Sequence, residues 1–348
     1  MAQNKKIKYT TMTAKALAKN IEKELKTKDS IVIENVQVPS KMEHGTKFIK
    51  YWQNLPTYYI DIKDFCDRSE SDTKFKIKSI NFKNCKLRDA VLIVCSYSRY
   101  NELDIIYTEC EVQHFDVRLG DGYRDITFSN CKVQNCNYLG SVNYYMNRTE
   151  ITALNETTFE YCVFENCRAD NFIHYKGEKF VNCEFKNCDF VGADLSQSTF
   201  TNCLADTHTR GFQLVCPEKG EYIAFKKALI YVYNKNGKNA ISDMMNGKYK
   251  HDTHAENVIV ELRIPKDAKR SSATTRKCRA SKAKVLSITS IDGKKHYKKA
   301  VAGFNSNFFY EVGKIVVPTN GYEENRWIGC APGIHHFITR DEAVAYDL

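Results

Sequence analysis

The chain has 348 residues, of which 43% are hydrophobic and 27% are charged, and its formal net charge is +10. This balance is typical of a globular protein and excludes a disordered or collagen-like chain. No segment approaches the roughly 18 consecutive apolar residues that cross a bilayer. The first twenty residues also lack the apolar core of a secretory signal. We therefore expect a cytoplasmic protein with no membrane partner.

The N-terminal segment, residues 1–74, predicts one helix followed by short strands. Four apolar residues recur at helical spacing, with lysines on the other face: Ala14, Leu17, Ile21 and Leu25. We expect this amphipathic helix to cap the structure that follows it. The alternative, a helix lying on a membrane surface, lacks the aromatic residues expected on the buried face. Strands are predicted at 31–33 and 58–65.

A period of five residues organises the middle of the chain. Large apolar residues recur at this spacing at Phe180, Phe185, Phe190, Leu195 and Phe200. A small residue stands two positions before each of the last four: Cys183, Cys188, Ala193 and Ser198. Neither the helical period of 3.6 nor the strand period of 2 explains this pattern. A fixed short period indicates a solenoid, in which each coil packs on its neighbours.

The sequence contains 14 cysteines, and several pairs are five residues apart, such as Cys183 and Cys188. Zinc knuckles place their cysteines two to four residues apart, so this spacing does not predict a metal site. Nothing points to secretion, where disulfides would be expected. We predict reduced thiols that stack inside the coils as small apolar side chains, with Cys162, Cys183 and Cys203 in one stack.

The segments 182–185, 187–190 and 192–195, which read NCEF, NCDF and GADL, resemble the pentapeptide-repeat family. The resemblance covers residues 75–216. It implies a right-handed quadrilateral β-helix in which four five-residue faces make one coil. The wider spacing between Cys131 and Cys162 implies an insertion at about 139–155.

The last third of the chain, residues 217–348, predicts a separate α+β domain. The five-residue register ends near Cys216, and the charge changes from −3 over residues 75–216 to +9 over residues 217–348. β-Branched runs predict strands at 258–262, 285–288 and 314–317. Thr339 followed by Glu342 predicts a capping box at the start of a terminal helix.

This domain resembles an uncharacterised domain found downstream of pentapeptide repeats in bacterial, phage and large-DNA-virus proteins. The residues that carry the resemblance are 222–229, 269–273, 276–280, Trp327, Cys330 and 333–335. Thr275 departs from it, because a glycine is expected there. The resemblance implies no activity, and it extends the expected location to a host cytoplasm or a virion.

Five basic residues lie close together in this domain and are interspersed with serine and threonine: Lys269, Arg270, Arg276, Lys277 and Arg279. Guanidinium groups, ammonium groups and hydroxyls together suit a phosphate or a carboxylate. We predict that the cluster binds an anion or a macromolecular partner. The alternative is a solvated loop whose charges have no partner role, since charge runs are commonly surface.

An enzyme is the less favoured class. Cys278, Cys330 and His335 could form a thiol–imidazole pair, but no third residue that would orient them can be named. His251 and His254 could bind a metal from one helical face, yet no further ligand lies nearby in the sequence. No phosphate-binding loop, dinucleotide fingerprint or nucleophile elbow is present. No cofactor or metal is therefore predicted.

These observations favour a non-enzymatic binding or scaffold protein. In this interpretation a rigid repeat rod presents the basic C-terminal domain to a protein or polyanionic macromolecule. The alternatives are an enzyme or small-anion-binding protein that uses Cys278, Cys330 or His335, and a DNA-mimic topoisomerase binder. The last needs a strongly acidic rod, and the net charge of −3 argues against it.

Overall fold

The computed structural model describes residues 7–39, 56–61, 76–95, 101–119, 123–134, 157–167, 178–246, 248 and 253–347. The chain divides into two compact units, Met1–Phe212 and Gln213–Leu348, called here the N-terminal unit and the C-terminal unit. The described residues are mainly β, as the sequence predicts, and include three helices. None of those helices has the length and apolar character required to cross a bilayer.

Helix α1, Ala14–Leu25, begins at Thr13, whose hydroxyl oxygen accepts a hydrogen bond from the Ala16 N–H at 3.2 Å. Its buried face carries all four residues predicted from the sequence, so the prediction of an amphipathic helix here is confirmed. Its C-terminal carbonyls are bound by the Lys78 ammonium group, which lies 2.7 Å from the Leu25 oxygen. The helix is therefore fixed at both ends.

Sixteen strands are described in the N-terminal unit. They are β1 (Thr10–Thr11), β2 (Ser30–Glu34), β3 (Val36–Val38), β4 (Thr57–Asp61), β5 (Lys76–Lys83), β6 (Lys86–Cys95), β7 (Asn101–Thr108), β8 (Glu111–Leu119), β9 (Tyr123–Ser129), β10 (Lys132–Gln134), β11 (Thr157–Glu160), β12 (Val163–Glu165), β13 (Lys179–Val181), β14 (Glu184–Lys186), β15 (Thr199–Thr201) and β16 (Leu204–Ala205). Strands β2 and β4 contain the described parts of the two strands predicted before residue 74.

These strands form two parallel sheets. One has the order β1-β3-β6-β8-β10-β12-β14-β16, with β4 also paired to β6, and the other has the order β15-β13-β11-β9-β7-β5-β2. From β5 onward, successive strands alternate between the two sheets. Each strand therefore pairs with the strand two positions further along the chain. The insertion predicted at 139–155 lies outside the described residues.

The apolar residues of the five-residue period lie inside this unit. Phe180 is in register with Phe159 and Phe200, and its ring stacks on theirs at centroid distances of 5.0 and 4.8 Å. Phe164 and Phe185 make a second stack at 5.1 Å. Stacking of equivalent rings buries each side chain against its neighbours in the adjacent strands. This explains why the period is carried by large apolar residues.

The repeat cysteines occupy the small interior positions predicted for them. Cys162 and Cys183 are buried, whereas Cys203, which lies between β15 and β16, is half-buried. The Cys183 thiol lies 3.4 Å from the carbonyl oxygens of Phe159 and Val181. All the described cysteines are free thiols. The thiols therefore line the interior of the unit and satisfy carbonyl groups of neighbouring strands.

The C-terminal unit contains a six-stranded sheet of order β23-β22-β17-β18-β21-β24 and a three-stranded sheet of order β19-β20-β25. Its elements are β17 (Tyr222–Tyr233), α2 (Ile241–Met245), β18 (Thr253–Ile264), β19 (Arg270–Ser272), β20 (Cys278–Ala280), β21 (Ala283–Ser290), β22 (Lys299–Ala302), β23 (Asn305–Glu311), β24 (Ile315–Val316), β25 (Ile334–His336) and α3 (Arg340–Ala345). The predicted strands correspond to β18, β21 and β24, and the predicted capping box of Thr339 and Glu342 is present.

The core of this unit lies between its two sheets. Alternate residues of β17, including Ala224, Ala228 and Ile230, point into it. Ala280 and Ile334 enter the same core from the three-stranded sheet. One face of the three-stranded sheet is therefore turned toward the core, and the side chains at the alternate positions of its strands lie on the face away from the core. The difference between the two faces decides where the predicted site residues lie.

Candidate functional site

The three-stranded sheet arranges the predicted site residues in rows. Arg279 of β20 is in register with Ser271 of β19 and His335 of β25. Because side chains alternate across a strand, these three residues share one face of the sheet. Cys278 is in register with Ser272 and His336 and therefore belongs to the opposite face.

Arg279 is the central residue of the first row and is only 1% exposed. One terminal nitrogen, Nη2, donates to the Asn325 carbonyl oxygen at 2.9 Å, and the guanidinium lies 5.7 Å from the centroid of the Tyr322 ring. The other terminal nitrogen, Nη1, is buried and has no hydrogen-bond partner among the described residues. Gly333 packs on the stem, since a Cβ there would lie 3.1 Å from the Arg279 Cβ.

The neighbours of Arg279 are held in place by their own hydrogen bonds. The Tyr322 hydroxyl donates to the Ser271 hydroxyl oxygen at 2.8 Å. The Nε2–H of His335 donates to the Ala331 carbonyl oxygen at 2.9 Å. Burial, and then the nearby Lys277 charge, lower the pKa of His335 to about 4, so the imidazole is neutral at pH 7. The row thus presents one fixed cation beside a neutral ring.

Lys277 adds a second cation near this face. Its ammonium nitrogen lies 3.3 Å from the Cys330 thiol and 6.0 Å from the centroid of the Tyr346 ring. Lys277 is half-buried, and Cys330 is exposed. Burial lowers the pKa of the Arg279 guanidinium, and Tyr322, Glu323 and Cys330 lie close enough to raise it in part. The exposed thiol therefore marks the solvent side of this cationic group.

Lys226 is a third cation in the same neighbourhood, and the sequence reasoning missed it. It is half-buried and has no hydrogen-bond or ion-pair partner among the described residues. Burial, followed by repulsion from Lys277, lowers the pKa of its ammonium group to about 8. Its position between Ala224 and Ala228, on the inward side of β17, is the signal that could have revealed it.

Cys278 does not join His335. It is fully buried on the opposite face, where its thiol hydrogen-bonds to Cys216, and that contact and burial raise the pKa of Cys278. His336 on this face donates from Nδ1 to the Ile334 carbonyl and accepts from the Tyr222 hydroxyl at 3.0 Å. The sheet therefore separates two members of the thiol–imidazole group considered above.

The other predicted cations have internal partners. Lys269 forms an ion pair with Glu324, and the Arg276 Nε lies 2.6 Å from a Glu342 oxygen. Arg270 donates to the backbone carbonyls of Pro265 and Gly220, both at 2.6 Å, and of Ala268 at 3.1 Å. Arg270 thus holds together the chain around β19. The five predicted residues do not share one exposed surface, and their role in anion binding stays a prediction.

His254, one of the two histidines considered as metal ligands, is not on a helix. His254 lies in strand β18, where its Nδ1 is 2.7 Å from the Asn234 side-chain oxygen and its Nε2 is 3.2 Å from Glu256. His251 is outside the described residues. Among the residues that the structure does describe, no group of three or more His, Cys, Asp or Glu could hold a metal ion.

These features define a repeat protein with an appended β-rich domain. Residues 179–204 match the model for pentapeptide repeats, given as eight copies, and residues 212–343 match a family of unknown function, DUF5758. No curated protein matches the chain. The chain therefore carries pentapeptide repeats followed by a DUF5758 domain.

Proposed function

We propose that this protein is a non-enzymatic binding protein. Its repeats form a right-handed quadrilateral β-helix that serves as a scaffold, and its C-terminal domain, residues 217–348, binds an anionic group of a macromolecular partner. The partner is a protein or a polyanionic macromolecule. Repeat solenoids commonly offer extended, rigid surfaces for such partners.

The β-helix is supported by three features of the N-terminal unit. Successive strands alternate between two parallel sheets, as they do when a chain winds through successive faces of a coil. A further parallel bridge between Asp189 and Arg210 lies beyond β14 and β16. Left-handed residues precede the interior cysteines, as at Asn182 with a φ of 53°. These left-handed positions turn the chain between one face and the next.

The proposed anion binding is carried by one observation, the group of buried and half-buried cations Lys226, Lys277 and Arg279. None of them forms a direct ion pair with an acidic side chain among the described residues, and Glu323 lies close enough to Arg279 to offset one of the three charges. All three lie close enough to His335 to lower its pKa. Exposed lysines need no partner, but removing three cations from water with one carboxylate beside them leaves two positive charges uncompensated, which is costly. An anion from a partner supplies that counter-charge.

The test measures binding of the full chain to heparin as the salt concentration rises. Affinity should fall steeply with salt, because the cations displace condensed counterions from the polyanion. Lys277→Gln should weaken binding and reduce the salt slope by about one. Lys238→Gln, which removes an exposed lysine from the turn after β17, is the matched control. Equal binding by the parent and Lys277→Gln would overturn this assignment.

A further inference from the structure

The buried Nη1 of Arg279 requires an explanation. A guanidinium nitrogen that is buried without a hydrogen bond loses the hydration that it has in the unfolded chain and gains no bond in return, which lowers the stability of the fold. Native proteins rarely leave such groups unpaired, and an unseen water or ion is the usual reason. Here the nitrogen belongs to a side chain that is otherwise fixed by Asn325, Tyr322 and Gly333. Rotation toward another partner would therefore break existing contacts.

We infer that Arg279 is the anchor of a phosphoryl-binding site, in which Nη1 donates to a phosphate oxygen and Lys277 and Lys226 supply further positive charge. The inference rests on the proposed function and assigns the chemistry of its ligand. Cys330 is exposed, and its thiol lies 3.3 Å from the ammonium nitrogen of the half-buried Lys277, so this part of the site borders the solvent.

Charge selects phosphate over a carboxylate. Lys226, Lys277 and Arg279 all lie close enough to His335 to lower its pKa, and Glu323 near Arg279 offsets one of these three charges. A monoanionic carboxylate would leave one cation without a counter-charge. A phosphate monoester carries close to two negative charges at pH 7 and offers three acceptor oxygens. It can therefore accept from Nη1 and from a lysine ammonium at the same time. The His335 imidazole is neutral at pH 7 and adds no charge to this group.

The site is also rigid before a ligand arrives. The Tyr322 hydroxyl is bonded to Ser271, and the Tyr322 ring lies against the guanidinium. A Cβ at Gly333 would lie 3.1 Å from the Arg279 Cβ, so a side chain there would press on the Arg279 stem. A fixed donor loses little conformational entropy on binding. Arg279 therefore acts as a preorganised anchor, whereas the less buried Lys277 completes the site.

The test titrates the full chain with inorganic phosphate and, separately, with O-phosphoserine, at constant ionic strength. Acetate is the carboxylate comparison. Side-chain NMR of the parent should show the Arg279 Nε–H resonance shifting with either phosphate probe and not with acetate. A stronger response to phosphoserine indicates a phosphorylated partner, and an equal response indicates free phosphate. An unchanged Arg279 resonance, or an equal response to acetate, would overturn the inference.

Three variants separate the anchor from general charge. Arg279→Lys keeps the charge and should weaken phosphate binding at least tenfold. Gly333→Ala keeps the net charge but pushes on the Arg279 stem, so it should weaken binding in the same direction. Lys294→Gln removes an exposed charge outside the site and should leave the affinity unchanged. If Arg279→Lys does not fold, the parent resonance and Gly333→Ala still decide the question.

This result is separable from the proposed function. Heparin binding that depends on Lys277, in a chain that binds no phosphate, would overturn only the phosphoryl site. Phosphate binding at Arg279 in a chain that does not bind heparin would overturn only the macromolecular polyanion partner.

Discussion

The ammonium group of Lys78 lies 2.7 Å from the carbonyl oxygen of Leu25, although 53 residues separate them in the chain. The same nitrogen lies 3.1 Å from the Lys28 carbonyl and 3.3 Å from an Asp29 carboxylate oxygen. A lysine of strand β5 thus binds the last carbonyl of helix α1 and so joins the helix to the first long strands.

Lys78→Met should destabilise the N-terminal unit by about 1–3 kcal/mol, because it leaves buried carbonyl groups unpaired. The loss should appear as a lower free energy of unfolding in a urea titration. Lys83→Met is the control, since that lysine is half exposed and its nearest Glu34 oxygen lies 3.7 Å away. The control should change stability by less than about 0.5 kcal/mol. Equal losses would mean that Lys78 does not fix the helix.

The left-handed backbone at Asn182 gives a second prediction. Its φ is 53°, and its N–H donates to the Thr201 carbonyl at 2.8 Å. Asn182→Ala should cost about 1 kcal/mol, because a Cβ without a compensating polar group disfavours this conformation. Asn182→Gly should be close to neutral, since glycine adopts positive φ readily. Urea unfolding of both variants provides the comparison, and a larger loss for glycine would contradict it.

Thiol reactivity gives a third prediction. Cys330 is exposed and should react rapidly with a thiol-specific reagent in the native protein. The buried Cys162 and Cys183 should react only when the unit opens, because the reagent needs access to the sulfur. Mass spectrometry of the modified peptides would show this order. Fast modification of most repeat cysteines would contradict their interior placement.

The sequence predicted the repeat architecture better than the site, for a physical reason. The five-residue period records which side chains are buried, so Phe180 and Cys183 could be placed inside from spacing alone. The faces of β20 depend on the register with β19 and β25, which lie far apart in the chain. Arg270 and Arg279 therefore read as one basic cluster although they lie on opposite faces of a sheet.

A fourth prediction concerns the separate folding of the C-terminal domain. The fragment Gln213–Leu348 corresponds to the C-terminal unit and has its own core between two sheets. A domain of this size can bury enough apolar surface to fold alone. The fragment should show dispersed NMR signals and a cooperative thermal transition. A fragment that remains unfolded would contradict the predicted division of the chain near Cys216.

The last prediction is a pH dependence of stability in the C-terminal unit. Burial lowers the pKa of His336 to about 4, from an ordinary value of 6.5. Between these values the unfolded chain holds a proton on this imidazole and the folded chain does not. The contribution of His336 to the free energy of unfolding should therefore be fully present above about pH 6.5 and fall as the pH drops toward 4, by up to about 3 kcal/mol.

His336→Asn removes one of the two imidazoles whose pKa is lowered to about 4, so it should weaken this dependence by about half and leave the part due to His335, even though losing the Tyr222 contact lowers stability at pH 7. His254→Asn, at an exposed position in β18, is the matched control and should keep the parent slope. Urea unfolding at pH 7, 6 and 5 measures all three proteins. Equal slopes for the parent and His336→Asn would show that the neutral buried imidazole is not what makes the unit acid-sensitive.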